Sequence, residues 1–346
     1  MKFLNRKNAM SFLLKTSLFL ILSVQIACSG KQEETTEKDK NSSGALIAEL
    51  TEKISQNPNN PDLYFERAGV YYEEEAYEES IADLTKAIQL DSTKAEYFHL
   101  MADNYLDYRQ SMAALRTMEL AANKFPKNIP TLLKQAEFQH ILKQYEDSFR
   151  TIDQILKQDP QNAEAYFMFG MNFKEMGDTI RAINSFQSAV ENDPDLVDAW
   201  IILGQLYAQR GDALAEKYFD NAIRADSTNK VALHAKAAYL HDLGKLEAAL
   251  GIYKKIVLMD PKYKDAFFNS GLIYLEMDSL NQAKKQFDIL IEVSPTYIVG
   301  YYYRGLVSEM QGDMQAAKDD FQQALKFAPN YGEAQLALDR VAKSLQ

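Results

Sequence analysis

Residues 163–196 read AEAYFMFGMNFKEMGDTIRAINSFQSAVENDPDL, and residues 197–229 read VDAWIILGQLYAQRGDALAEKYFDNAIRADSTN. Laid on each other, the two stretches share a large ring at the fourth place (Tyr166, Trp200), glycine at the eighth (Gly170, Gly204), alanine at the twentieth (Ala182, Ala215) and phenylalanine at the twenty-fourth (Phe186, Phe219). Both carry a Gly-Asp step between, Gly177-Asp178 and Gly211-Asp212. Apolar places 4, 7, 8 and 11 form one stripe of a first helix, and 20, 24 and 27 one stripe of a second. Small residues at 8 and 20 face each other, so the two backbones approach closely, and the rings at 4 and 24 fill the space beside them. Gly-Asp stops the first helix and caps the next. Gly211 to Ala215 is one residue shorter than Gly177 to Ala182, so a local change of pitch is expected there.

The pattern extends in both directions. Pro126, Pro160 and Pro194 are 34 residues apart, as are Pro261, Pro295 and Pro329, and Pro58 lies two periods before Pro126. Proline at that point ends a second helix, because it cannot donate within a helix interior. The two rungs without proline are Ser92 and Ser227, each preceded by aspartate. The eighth place is Gly or Ala throughout (Ala68, Ala102, Ala136, Gly170, Gly204, Ala237, Gly271, Gly305), and the twenty-fourth is always large and apolar (Leu84, Met118, Ile152, Phe186, Phe219, Tyr253, Phe287, Phe321).

These residues resemble the tetratricopeptide repeat, whose pattern of Trp, Leu-Gly, Tyr, Ala, Phe, Ala and Pro appears most fully at Trp200, Leu203-Gly204, Tyr207, Ala215, Phe219 and Ala222. The resemblance implies an all-α fold, an α-solenoid in which helical hairpins wind into a right-handed superhelix. It predicts eight repeats over 61–331: 61–94, 95–128, 129–162, 163–196, 197–229, 230–263, 264–297 and 298–331. Residues 45–60 read as an N-terminal capping helix. Residues 332–346 read as a C-terminal one, with a stripe of Leu336, Leu338, Val341, Ala342 and Leu345 turned to the last hairpin.

Residues 1–27 have the layout of a secretory signal: Lys2, Arg6, Lys7 and Lys15, no acid, then an apolar stretch centred on 18–22. Translation starts at Met1 or Met10 on this reading. The junction Val24-Gln25-Ile26-Ala27-Cys28-Ser29 resembles a bacterial lipobox, with Gln25 departing from the usual leucine. That resemblance makes Cys28 the lipidated residue, and Ser29 favours outer-membrane delivery. Residues 28–44 then form a lipidated cysteine and a polar tether with no hydrophobic residue after Cys28.

Composition narrows the function. The 346 residues are 47% hydrophobic and 25% charged, which excludes a largely disordered chain. The net charge is −11, and loss of residues 1–27 removes four positive charges to leave about −15. Nucleic acid is a poor partner for such a chain. One cysteine excludes an intrachain disulfide, and four histidines leave little for a zinc site, so no metal and no cofactor are expected. No phosphate-cradling loop, HExxH or Gly-x-Ser-x-Gly is present, so the chain is not expected to be an enzyme or to take a small-molecule substrate.

In the family, first helices line the inner wall, with places 2, 5, 9 and 12 turned into the groove. Here those places hold Phe65, Tyr72, His99, Phe167, Met171, His234, His241, Phe268, Leu272, Leu275, Tyr302 and Leu306, the expected partner-binding set. They lack the Lys and Asn of repeats that clamp a peptide's C-terminal carboxylate. Phe268 and Tyr302 have two readings, partner contact or packing between repeats. His234 and His241 are seven apart on one helix, too far to share a metal. The expected function is a membrane-anchored scaffold of the bacterial outer membrane that binds protein or peptide partners in its groove, on the periplasmic or cell-surface side. The alternative is a glycan-binding surface lipoprotein of a nutrient-uptake system, which needs long loop insertions that the steady period does not provide.

Overall fold

The computed structural model describes residues 37–345, with side-chain environments from residue 43. The signal segment 1–27, Cys28 and the first part of the tether lie outside the described residues. The described residues hold helices and no strand. They form two compact units, where the sequence reads as one array. Repeats touch only their neighbours, so no single core unites the whole chain.

The first unit, residues up to 110, contains α1 (Glu37–Gln56), α2 (Pro61–Glu73), α3 (Tyr77–Leu90) and α4 (Ala95–Asp107). The second, residues 111 onward, contains α5 (Ser111–Lys124), α6 (Ile129–Ile141), α7 (Tyr145–Gln158), α8 (Ala163–Glu175), α9 (Thr179–Asn192), α10 (Val197–Gln209), α11 (Leu214–Ala225), α12 (Lys230–Asp242), α13 (Leu246–Met259), α14 (Lys264–Glu276), α15 (Leu280–Val293), α16 (Ile298–Met310), α17 (Met314–Phe327) and α18 (Gly332–Ser344). Every connection is three or four residues long.

Helix α1 begins at Glu37, inside the segment read as tether. Leu50 and Ile54 bury against α2 and fix the helix. Each further residue toward the N-terminus then adds a backbone hydrogen bond with no new nucleation cost, so a polar stretch can continue the helix.

The hairpin chemistry is local and repeated. Asn60, Asn128, Asn162 and Asn229 cap the helices that follow them, each side-chain oxygen accepting from a backbone N–H at 2.9–3.1 Å. The fifteenth place of all eight repeats is left-handed: Glu75, Arg109, Lys143, Gly177, Gly211, Gly244, Asp278 and Gly312 have φ between 57° and 84°. Only half of them are glycine, which is why the sequence exposes half of these turns. At the rungs without proline, Asp91 and Asp226 each accept from the backbone N–H and hydroxyl of Thr93 or Thr228, so an Asx turn replaces the ring.

Place 8 does meet place 20: Ser80 and Ser148 donate to the carbonyls of Ala68 and Ala136 at 2.7 and 3.0 Å. It also meets place 24. A Cβ added to Gly170, Gly204, Gly271 or Gly305 would come within 2.6–2.7 Å of the ring of Phe186, Phe219, Phe287 or Phe321. Where place 8 is alanine, place 24 is Leu84, Met118, Ile152 or Tyr253.

The ring at place 4 has a second role. Tyr64, Tyr166, Trp200 and Tyr301 each donate to the carbonyl of the proline six residues earlier, at 2.8–3.2 Å. The rungs without a donor there, Phe98, Leu132, Leu233 and Phe267, are buried instead.

In the 33-residue repeat, α11 starts late, and the Gly204–Phe219 approach is the same 2.6 Å as in the preceding repeat. The shortening is absorbed in the turn, and the packing within the hairpin is unchanged. One expectation changes, that of the C-terminal stripe. On the capping helix α18, Ala334, Ala337 and Val341 are buried, while Leu336 is 69% exposed and Leu345 45%. Residues 334, 337 and 341 share one face, and Leu336 falls off it.

Candidate functional site

First helices of successive repeats touch one another within each unit, α2 with α4, and α6 with α8, α10 with α12, α12 with α14 and α16 with α18. They therefore form the tighter, inner wall that the repeat pattern implies.

In the first unit, Phe65 lies against the Tyr97 ring at 5.0 Å, Tyr72 donates its hydroxyl to Asp107, and His99 is half-buried. In the second unit, Phe167 makes an edge contact with Phe186 at 5.4 Å, and Met171 packs on the core formed by α9 and α10. None of the twelve residues expected in the groove is fully exposed. Leu272 and Leu275 are only 2% and 5% accessible, so they are packing residues and not partner contacts. Helix α14 is apolar on more than one side, with Phe267 and Ile273 also buried, and the stack covers it. His241 is buried too, with Nε2 3.1 Å from a Glu276 carboxylate oxygen.

Phe268 packs within its own repeat and against the next one, and Tyr302 packs within its own repeat and against the capping helix. Phe268 touches Phe287, Tyr297 and Tyr303, with centroids at 5.5–6.3 Å. Tyr302 touches Tyr303, Phe321 and Tyr331 at 5.2–5.9 Å. Leu306 packs on the same cluster as Phe321 and Val341. Each ring is still half-exposed.

The sequence reading missed a row of tyrosines at the last place of repeats six, seven and eight: Tyr263, Tyr297 and Tyr331. Each stands at the N-cap of the next helix and makes no capping bond, although asparagine caps at the same place in three other repeats. Each instead covers the place-5 side chain of its own repeat: Tyr263 on His234 at 5.8 Å, Tyr297 on Phe268 at 5.8 Å, Tyr331 on Tyr302 at 5.2 Å. The 34-residue spacing was readable. The signal overlooked was tyrosine replacing a good cap.

Electrostatics set this wall apart. Burial, then Asp265, pushes the Tyr263 and Tyr297 hydroxyls up to about 12. Burial pushes Tyr302 up to about 12 and raises Tyr331. Burial lowers His234, with Asp265 opposing, and raises Asp242, with Glu276 adding to the rise. His234 has only long contacts, 3.4 Å from its nitrogens to the Tyr263 hydroxyl and to the Asn269 amide. The Tyr253 hydroxyl beneath it is buried and makes no hydrogen bond. No cluster of metal-ligating side chains exists among the described residues, and none of their helices is long and apolar enough to cross a membrane.

Comparison with known proteins gives tetratricopeptide repeat matches at residues 61–94, 167–230, 265–297 and 299–331. The human tetratricopeptide repeat protein 6 is 25% identical over 290 residues, covering 82% of this chain and 56% of that protein. The type IV pilus assembly protein PilF of Pseudomonas aeruginosa is 27% identical over 131 residues, 36% of this chain and 51% of that one. The chain thus spans about half the length of these curated relatives. Among solved structures, the APC/C hetero-tetramer Cut9–Hcn1 aligns with a TM-score of 0.51 at 16% identity, over 89% of this chain and 60% of that one, a likeness of fold.

Proposed function

Because this chain is a tetratricopeptide repeat protein, we propose that it is a scaffold that holds protein or peptide partners on the inner wall of its first helices, and that it does so from a bacterial outer membrane to which a lipid on Cys28 anchors it. The observation that carries the binding reading is the half-exposed aromatic wall of repeats six to eight, where the tyrosines at 263, 297 and 331 replace helix caps. Residues that forgo a cap worth about 1 kcal/mol each point to a surface kept for contact. The anchoring reading rests on the basic and apolar layout of residues 1–27 and on Ala27-Cys28-Ser29.

A binding role without chemistry of its own fits the absence of a catalytic motif in the sequence. The relative named for type IV pilus assembly supports a role in assembling other proteins. The three- and four-residue connections offer no loop platform for the glycan-binding alternative.

A photo-crosslinking residue at Val231, which is 59% exposed at place 2 of its helix, tests the scaffold reading in cells. A discrete crosslinked protein is the expected product, and crosslinks only within the chain would overturn the reading. Radiolabelled palmitate incorporation that disappears in Cys28→Ala is expected for the anchor. Equal labelling of parent and variant refutes it.

A further inference from the structure

The hairpins put one class of turn on each edge of the second unit. Every connection is three or four residues long, so consecutive helices run antiparallel. Turns that leave first helices therefore share one edge, and turns that leave second helices share the other. In repeats three to six the first of these edges carries apolar tips. Ile141, Met176, Ile180, Leu214 and Leu243 lie in or within two residues of its turns, and each is exposed, Ile180 to 71%. Met176 and Ile180 line one surface hollow with Arg181. The opposite edge of the same repeats turns through Asp159-Pro160, Asp193-Pro194, Asp226-Ser227 and Asp260-Pro261, and no residue of those four turns is a large exposed apolar one.

Folding does not call for apolar side chains at these places. Repeat one has the same hairpin with Glu73 where repeat three has Ile141, Glu74 where repeats four and six have Met176 and Leu243, and Glu78 where repeat four has Ile180. All three glutamates are exposed. The apolar side chains are thus held in water at places that a charge can fill. They recur in four consecutive repeats, which sets them apart from exposed residues scattered singly. Cations stand among them. Lys143 and Arg210 are exposed in the turns of repeats three and five and make no ion pair among the described residues. Arg181 and Lys245 are exposed near Ile180 and Leu243 and pair with Asp178 and Glu216. Of the acids on the same edge, Asp178 and Asp212 also accept from backbone N–H groups of the helices that follow. Aliphatic tips flanked by long basic side chains suit a lipid headgroup layer, where the tips enter the acyl boundary and the basic groups reach phosphate.

We infer that this edge of repeats three to six rests on a phospholipid bilayer, with Ile180 and Leu243 among the side chains that enter it. The inference deepens the anchoring reading above and rests on it, because that reading puts a bilayer within reach. Helix α1 begins at Glu37, nine residues after Cys28, and nine residues span at most about 30 Å. A lipid on Cys28 therefore keeps the chain at high effective concentration at the surface, so a few partly inserted side chains suffice where they would not hold a free protein. The net charge of −11 gives no attraction of its own to anionic lipid, which leaves the apolar tips and their basic neighbours as the contact.

The test uses the whole chain after residue 27 with Cys28→Ser, which leaves no native thiol. A hexahistidine tag at its start holds it on vesicles of phosphatidylethanolamine and phosphatidylglycerol that contain a nickel-chelating lipid. The surface is then in reach whether or not Cys28 is lipidated in cells. Ile180→Cys, Leu243→Cys and, as a control, Leu258→Cys each carry one nitrobenzoxadiazole probe. Leu258 is 76% exposed and lies at the end of α13 away from this edge. Doxyl-labelled lipid is expected to quench the probes at 180 and 243 about twofold or more over the probe at 258. Ile180→Glu with Leu243→Glu, which copies repeat one, is expected to abolish quenching of a probe at Leu214→Cys, with ellipticity and melting temperature showing that the variant is folded. Equal quenching at 180, 243 and 258 means adsorption without a preferred edge and overturns the inference. Probes at 180 and 243 that stay in water overturn it, as does a Leu214→Cys probe that remains quenched in the double glutamate variant. Palmitate labelling that disappears in Cys28→Ala, together with unquenched probes, keeps the anchor and removes the edge. Absence of labelling with quenching at 180 and 243 removes the anchor and keeps the edge.

Discussion

One β-carbon separates two packing solutions in this chain. Glycine at place 8 is paired with phenylalanine at place 24 in repeats four, five, seven and eight, because a Cβ there would sit 2.6–2.7 Å from the ring. Gly271→Ala is therefore expected to destabilise by about 1–3 kcal/mol through overpacking. Adding Phe287→Leu recreates the Ala68–Leu84 pair of the first repeat and should recover much of the loss, as urea denaturation of the single and double variants will show. The left-handed turn gives an opposite expectation. Lys143 has φ 58°, a conformation that costs a side-chain-bearing residue about 1–2 kcal/mol, less the extra flexibility glycine brings to the unfolded chain. Lys143→Gly should stabilise by a fraction of a kcal/mol to about 1 kcal/mol, read as a higher urea midpoint, and Gly177→Ala should lower the midpoint. The Gly–Phe pairing was present in the sequence as a covariation of places 8 and 24. It went unread because place 20 alone explained the small residue at 8.

Helices show where local rules hold and where neighbours override them. Asn162 caps α8 through the Ala165 N–H at 2.9 Å, so Asn162→Ala should cost about 1 kcal/mol in thermal or chemical denaturation. On α12, burial holds His234 neutral below its ordinary value. The unfolded chain takes up a proton near pH 6.5 that the folded chain resists, so the unfolded state binds more protons and stability falls as pH drops below about 6.5. Asp242 acts in the opposite sense nearer the carboxylate range, since burial raises it and the folded chain protonates it first. Unfolding curves at pH 7 and pH 5.5 should thus show a lower midpoint in acid. His234→Phe, which copies Phe167 and Phe268 at the same place, should flatten that difference. The helix positions were legible because caps, prolines and the apolar stripe agree. The burial of Leu272, Leu275 and His241 was not, since a register position shows which way a side chain leaves its helix and not how closely the next helix approaches.

At the scale of the whole molecule, stability is built from neighbouring interfaces within each unit. Phe321 packs on Ala337 and Val341 of α18. Ending the chain before Gly332 should therefore remove amide-exchange protection from 298–327 and leave 145–192 protected, as a nearest-neighbour array requires. Equal loss in both segments would show a single cooperative core instead.

The sequence by itself determined the all-α repeat architecture and its hairpin register. Those depend on spacing within one hairpin, where residues at 4, 8, 20 and 24 meet whatever the rest of the chain does. The tertiary structure decided which wall residues remain open. It closed Leu272 and Leu275, and turned Phe268 and Tyr302 into packing partners of Tyr297 and Tyr331. The reason is physical: such contacts join residues 29 to 35 apart, from the first helix of a repeat to its own last residue or to the first helix of the next repeat, and are set by how closely neighbouring hairpins stack.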